Sequence, residues 1–122
     1  MSNELTLSGT IQYADSQSAD EALSIAQIYA DVGTKKYIKA KQSIGTTEEA
    51  IVLGEVTAPG WAIFINRDTT NYLELRVATG GAKFAKLLHG EFTAVRLGSG
   101  AQVPFAIANN AACIMEYLIV NT

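Results

Sequence analysis

Few residues of this chain have the types and spacing that chemistry at a site requires. His89 is the only histidine and Cys113 the only cysteine among the 122 residues. A zinc site usually takes four nitrogen, sulfur or oxygen ligands, so this pair alone does not predict one. The segment 98–100, Gly-Ser-Gly, lacks the Gly-x-Ser-x-Gly spacing of a nucleophile elbow. A Ser/His/Asp triad stays open, because triads are assembled in space. We predict a surface turn for His89 and a core position for Cys113.

The carboxylates form two loose groups, which are Asp15, Asp20 and Glu21, and then Glu48 and Glu49. Each is either solvated loop charge or part of a calcium site. No stretch has the Asp-x-Asp-x-Asp-Gly spacing of a calcium loop, which favours the first interpretation. The glycines at 80–81 and at 98 and 100 are typical of hairpin turns, since no helical pattern follows them. We therefore predict no catalytic, metal-binding or cofactor-binding residues.

The aromatic residues allow two interpretations. Either they line a sugar-binding platform, or they fill the core of a β-sandwich, which is much commoner. The residues concerned are Trp61, Tyr72, Tyr37, Tyr13 and Tyr29.

Composition limits the class of protein. A chain of 122 residues is long enough for one domain, and we predict a single domain over 1–122. The chain is 48% hydrophobic but only 17% charged, against a typical ~25%. Either the core is large or another subunit covers part of the surface.

The net charge limits the possible partners, and the cysteine count indicates the compartment. The net charge of −3 argues against nucleic-acid binding. Four lysines at 35, 36, 39 and 41 form the densest basic patch. On a strand, Lys35, Lys39 and Lys41 would share one face and Lys36 the other. The patch is either a solvated strand edge, where lysines discourage edge-to-edge pairing, or a contact for an anionic partner, and we favour the edge. With one cysteine there is no intrachain disulfide, as expected of a protein assembled in a reducing cytoplasm. We also expect no signal peptide and no membrane span, since no apolar run approaches ~20 residues.

The segment 61–77 shows the clearest change of pattern. Residues 61–65 are aromatic or β-branched apart from one alanine, which favours a strand. The polar run 66–71 favours a turn. Leu73, Leu75 and Val77 then alternate with polar residues and Tyr72, which places them on one face of a strand. We predict a β-meander here.

The rest of the chain has strand patterns separated by turn residues. Residues 5–13 alternate most regularly, whereas 19–31 fits either a short helix or a strand, and we favour the strand. Further strands are predicted at 36–44, 50–56, 84–88, 92–97, 103–107 and 114–120. About eight short strands predict an all-β fold, an antiparallel, jelly-roll-like β-sandwich. The last strand is apolar on both faces, so we expect a neighbouring subunit or a second sheet to cover each face.

Several motifs resemble those of small structural proteins of tailed bacteriophages. They are the hairpin from Ile65 to Glu74 (Ile-Asn-Arg-Asp-Thr-Thr-Asn-Tyr-Leu-Glu), the Gly90-Glu91-Phe92 turn and the closing strand from Met115 to Ile119 (Met-Glu-Tyr-Leu-Ile). Together with flanking residues they cover about half the chain. The chain is similar in this respect to capsid cement, or decoration, proteins.

The resemblance implies a non-enzymatic virion protein with no cofactor. It implies a homotrimer that binds the major capsid protein or another virion protein and stabilises the head shell. A tail, neck or fibre-base component is the alternative. A carbohydrate-binding module is a third hypothesis, of another class, and rests on the aromatic residues and not on the resemblance. The residues that we expect at interfaces are Met115, Tyr117, Leu118, Ile119, Asn66, Arg67, Asp68 and Asn71. The N-terminal segment 2–7 is expected to face the capsid.

Overall fold

The computed structural model describes residues 4–13, 21–97 and 103–122. Their regular structure is all-β apart from one 3-10 turn at Gly33–Lys35, as predicted. No helix among them is long and apolar enough to cross a membrane. The strands are β1 Leu5–Tyr13, β2 Glu21–Ala30, β3 Tyr37–Ile44, β4 Glu49–Ala50, β5 Pro59–Asn66, β6 Leu73–Arg76, β7 Lys83–Leu87, β8 Phe92–Arg96, β9 Phe105–Ala108 and β10 Cys113–Asn121.

The chain divides between Val32 and Gly33 into two compact units, and each is described by itself. The first holds the antiparallel hairpin of β1 and β2. The second is a β-sandwich of two four-stranded antiparallel sheets. That residues 1–122 act as one domain stays a prediction.

The sandwich has jelly-roll topology, which confirms the predicted fold class. One sheet has the strand order β3-β10-β5-β8 and the other has the order β4-β9-β6-β7. Every connection from β3 to β10 crosses between the sheets except the one from β6 to β7. This alternation places two interlocking Greek keys around one core.

The predicted meander over 61–77 is wrong, although both of its strands exist. The β5 strand pairs with β10 and β8, whereas β6 pairs with β7 and β9 in the opposite sheet. The polar run between them carries the chain across the sandwich instead of closing a hairpin. Its six residues are more than a tight two-residue hairpin turn uses.

The core lies between the two sheets. Along β5 and β10 alternate residues are buried, because successive strand side chains point to opposite faces. Phe64 and Tyr117 meet at its centre with ring centroids 6.4 Å apart. The fully buried core members include Ile44, Ala62, Phe64, Leu73, Leu75, Met115 and Ile119.

Two local predictions are wrong. In the segment 50–56 only Ala50 lies in a strand, the short β4, because the chain turns at Gly54, whose φ is +58°. Lys35 lies in the 3-10 turn with a φ of +56°, so it does not share a strand face with Lys39 and Lys41. The edge position predicted for the lysine-rich strand is confirmed, since β3 is the first strand of its sheet.

Candidate functional site

Asn66 is the centre of the motif residues and links the two sheets. Its side chain is fully buried. The amide Nδ2 donates to the Asn71 carbonyl at 2.9 Å and to the Leu87 carbonyl, in the opposite sheet, at 3.0 Å. The Oδ1 atom accepts from the Asp68 backbone N–H at 2.9 Å. A buried amide with three partners fixes the crossing point of the chain. Asn66 is therefore a structural residue and presents no surface to a partner, contrary to the prediction.

Asp68 holds the shape of the loop that follows. Its carboxylate accepts from the backbone N–H groups of Asn71 at 2.7 Å and Thr70 at 3.0 Å. The bond from Asn71, followed by that from Thr70, lowers the pKa of Asp68. Local carboxylate-to-backbone bonds of this kind are why Asp favours turns. Arg67 is half-exposed and is the member of this loop whose charged head lies most open to solvent.

The Gly90-Glu91-Phe92 turn completes the same junction. The Gly90 N–H donates to the Asn66 carbonyl and the Asn66 N–H donates to the Glu91 carbonyl, both at 2.9 Å. The Glu91 carboxylate accepts from the Leu88 N–H at 2.8 Å. The segment from Ile65 to Glu74 and the Gly90-Glu91-Phe92 turn, two of the motifs that resemble phage proteins, therefore lie together. Their polar groups stabilise the fold.

We expect Gly90→Ala to destabilise the sandwich by about 1–2 kcal/mol, because Gly90 has a φ of +79° and an L-residue is strained there. Urea unfolding monitored by Trp61 fluorescence measures the change. The neighbouring exposed His89→Ala is the control and is expected to leave the unfolding midpoint in place. Equal midpoints for the two variants would contradict this role of Gly90.

The closing motif divides between the two faces of β10. Met115, Tyr117 and Ile119 point into the core, and the Tyr117 hydroxyl donates to the Val52 carbonyl at 2.6 Å. Since the second sheet already covers them, their prediction as subunit-interface residues is corrected. Leu118 is the one predicted β10 interface residue that lies on the outer face, where it is half-buried.

The outer face of the β3-β10-β5-β8 sheet carries an apolar surface, interrupted on β10 by Glu116 between Ile114 and Leu118, which we call the apolar sheet face. The strand register places Leu118, Ile63 and Ala94 side by side in one row. In the next row Ile65 lies beside Phe92, whose side chain is 67% exposed. The apolar sheet face comprises Trp61, Ile63, Ile65, Phe92, Ala94, Ile114 and Leu118.

Charges lie at the borders of the apolar sheet face. Lys39 and Lys41 project from β3, and Arg96 projects from β8 beside Trp61. Within the face, the Glu116 carboxylate lies 2.8 Å from Arg67 Nε and 3.5 Å from Lys39 Nζ. The Arg67 hydrogen bond is the main cause that lowers the pKa of Glu116. The one acid of this face is therefore neutralised by two cations.

The outer face of the opposite sheet carries a second ion-pair network, which has four members. Arg76 lies 2.9 Å from Glu48 and 3.5 Å from Glu74, and Glu74 lies 3.1 Å from Lys83. Glu48 also accepts from the Gly80 N–H, the main cause that lowers its pKa. This face is suited to water, whereas the apolar sheet face is suited to a protein partner.

Among the described residues, the candidates for chemistry form no group of metal ligands. His89 is exposed in the turn after β7. Cys113 is fully buried, and burial raises the pKa of its thiol, so it is a poor nucleophile. Within 4–13, 21–97 and 103–122, no three His, Cys, Asp or Glu side chains are grouped as metal ligands. The side chains of Asp15, Asp20 and Glu21 lie outside the described part.

Comparisons with known proteins give no family. No protein-family model matches the chain, and no curated protein matches it. Among solved structures, the chain is similar to a carbohydrate-binding module from Cellvibrio mixtus lichenase 5A, solved in complex with cellotriose. The sequences are 14% identical, the match covers 97% of this chain and 96% of that one, and the TM-score is 0.38. At that score the likeness has no bearing on function.

The described aromatic residues of the sandwich are divided between its two sheets, with Trp61 and Tyr37 on the outer face of the same one. Trp61 is half-buried on β5, whereas Tyr72 precedes β6 in the opposite sheet, with Lys86 Nζ 4.2 Å from its ring centroid. Tyr37 lies on the edge strand β3, and Tyr29 lies in the hairpin. The side chain of Tyr13 is outside the described part.

Four carboxyl groups predict a loss of stability in acid. Hydrogen bonds and ion pairs lower the folded-state pKa of Glu48, Asp68, Glu74 and Glu116. A lowered pKa contributes stability that is fully present above the unfolded value, about 4 for these groups, and is lost as the pH falls through the folded value. The urea midpoint should stay level from pH 7 to about pH 5.5 and fall towards pH 3. Glu116→Gln should reduce that fall, and an identical fall in both proteins would contradict the assignment.

The apolar sheet face was not predicted from the sequence, although the strand pattern of the sequence indicates it. In 61–65 the apolar residues occupy both strand faces, with Ala62 and Phe64 inside and Trp61, Ile63 and Ile65 outside. A strand that is apolar at every position indicates cover on both sides. The pattern that predicts cover on both faces of the closing strand is therefore also present in its partner β5.

Proposed function

We propose that this chain is a non-enzymatic structural protein of a phage virion, a capsid cement or decoration protein that self-associates as a trimer. The apolar sheet face is the single observation that supports this most. A chain that works alone in water has little reason to keep seven apolar residues on one outer sheet face.

Rigidity also supports a structural role. The motifs that resemble phage structural proteins stabilise the jelly roll. They do so through the Asn66 hydrogen bonds and the Glu116 ion pairs. Among the described residues, no buried side-chain N or O atom lacks a hydrogen-bond partner. A fully satisfied polar framework suits a protein that braces a shell.

Self-association is tested by sedimentation equilibrium at micromolar concentration. We expect a species of three times the 13.0 kDa chain mass. Leu118→Ser, on the apolar sheet face, should shift the equilibrium to smaller species, because it places a hydroxyl in the contact. The control is Val52→Ser, at an exposed valine of the 51–58 loop. A strict monomer contradicts the trimer.

Virion location is tested on purified particles of the phage that encodes this chain. We expect mass spectrometry to detect it at a copy number comparable with that of the major capsid protein. Antibody labelling in negative stain should decorate the head. Labelling at the tail, neck or fibre base would favour the alternative location. Absence from the particles would overturn the virion proposal.

A further inference from the structure

The N-terminal hairpin is an amphipathic ribbon. Residues that pair across an antiparallel ladder point to the same face. Leu7 pairs with Ile28 and Ile11 pairs with Leu23, so all four share one face. The opposite face carries polar pairs such as Thr10 with Ser24.

A β-bulge keeps the ribbon amphipathic. Between the pairs Leu7–Ile28 and Gly9–Ile25, β1 advances two residues and β2 advances three. The extra residue brings Ile25 onto the same face as Ile28 despite their odd spacing. Without it, β2 would turn its apolar residues to both sides. The bulge therefore gathers the apolar residues on a single face.

Most of that apolar face is exposed, although Leu5 at one end of it is buried. The side chains of Leu23, Ile11, Ile28 and Ile25 are 61%, 56%, 40% and 38% exposed. A two-stranded hairpin alone is at best marginally stable in water, and it needs a further strand, sheet or helix on its apolar face. This hairpin therefore requires a partner surface.

Charge selects the partner. Residues 1–32 contain five Asp and Glu and no Lys or Arg, which gives −5. Residues 33–122 contain the other seven acids and all nine cations, which gives +2. The apolar sheet face is bordered by Lys39, Lys41 and Arg96. A second hairpin would oppose like charges, whereas this sheet face offers apolar surface with cations around it.

We propose that the apolar face of the hairpin from one copy packs on the apolar sheet face of a second copy. This inference rests on the self-association in the proposed function and identifies its contact. The dimensions agree, since strands of nine and ten residues give a ribbon roughly 30 Å long. Four strands spaced about 4.8 Å apart make a face roughly 15–20 Å wide, which such a ribbon crosses completely.

Paired substitutions test the hairpin side in the full chain. Ile11→Ser with Leu23→Ser should raise the dissociation constant at least about tenfold, because two buried apolar groups leave the contact. The control is the adjacent pair on the polar face, Thr10→Ala with Ser24→Ala, with a change of about twofold or less. Circular dichroism checks that both variants stay folded. Equal dissociation constants overturn the inference.

Substitutions on the sheet test the other side. Phe92→Ser should weaken association as strongly as the hairpin pair, and Val52→Ser should not. Combining Phe92→Ser with the hairpin pair should add little, because both remove one contact. Association should also weaken at high salt, since charge contributes to it. Fully additive effects would show two separate contacts and contradict the pairing.

Mixed-isotope cross-linking separates a second copy from the same copy. Unlabelled and ¹⁵N-labelled chains are mixed and treated with a carbodiimide, which joins carboxylates to lysines. Cross-links between hairpin peptides and Lys39 or Lys41 should occur in mixed-isotope pairs as often as in same-isotope pairs. Same-isotope pairs only, or none, overturn the inference.

The two proposals fail differently. If the hairpin variant associates normally but no longer binds phage particles, its partner is a capsid protein and the second-copy inference is wrong while the virion role stands. If the chain is absent from particles but the paired variants weaken association, the virion role is wrong and the contact stands.

Discussion

Replacing Ile119 by alanine is expected to lower the free energy of unfolding by about 3 kcal/mol. Ile119 is fully buried between the two sheets and belongs to the hydrophobic core. Truncation removes buried methyl and methylene groups and leaves a cavity that rigid strands do not fill. Urea unfolding at submicromolar concentration measures this loss, because dilution limits the contribution of self-association.

The control is its neighbour Leu118, which lies on the outer face of the same strand. Leu118→Ala is expected to cost about 1 kcal/mol or less in the dilute chain, since its side chain is only half-buried. The order should reverse for self-association, with Leu118→Ala weakening it and Ile119→Ala leaving it intact as long as the chain is folded. Equal losses of stability at both positions would contradict the assignment of the two faces.

Replacing Asn66 by alanine is expected to cost about 3 kcal/mol. The substitution leaves the Leu87 and Asn71 carbonyls without the donors that they have at 3.0 and 2.9 Å. Loss of these bonds exposes the full desolvation penalty of buried polar groups. Since Leu87 belongs to the opposite sheet, the loss should also loosen the crossing between sheets, measured as faster amide exchange at Gly90 and Glu91.

Asn71→Ala is the matched control from the same loop. The Asn71 carbonyl, and not its side chain, accepts from Asn66, so alanine keeps that bond. Its side chain donates to the exposed Thr70 hydroxyl at 3.3 Å, and its hydrogen bond to Asp68 is the smallest of the causes that lower the pKa of that carboxylate. We expect a change within about 0.5 kcal/mol. A large loss at Asn71 with a small one at Asn66 would show that the junction is held by the loop itself.

Local pattern was enough to find most strands. The alternation over 5–13 and the apolar runs at 61–65 and 114–120 each correspond to a strand, and the ambiguous segment 19–31 contains β2. These signals are local, because the spacing of apolar residues along a short segment indicates whether it buries one face as a strand or as a helix. The segment 50–56 was wrongly predicted as a strand, since its apolar residues Ile51 and Val56 are buried in an irregular loop around Gly54.

Strand pairing required the tertiary structure. The polar run 66–71 indicates that the chain turns, but its residues do not say whether β6 returns beside β5 or crosses to the other sheet. The deciding interaction is the Asn66 amide bond to Leu87, a residue 21 positions away. Long-range hydrogen bonds of this kind leave no periodic signal in the sequence.

The sequence by itself determined an all-β chain with a large apolar content and low charge. Only the tertiary structure decided which apolar residues are core and which are surface, because a strand that is apolar at every position has the same apolar pattern on both of its faces. It placed Met115, Tyr117 and Ile119 inside and left Leu118, Ile63 and Phe92 outside. The physical reason is that the period of two assigns residues to faces, whereas only the packing of the second sheet decides which face is the core.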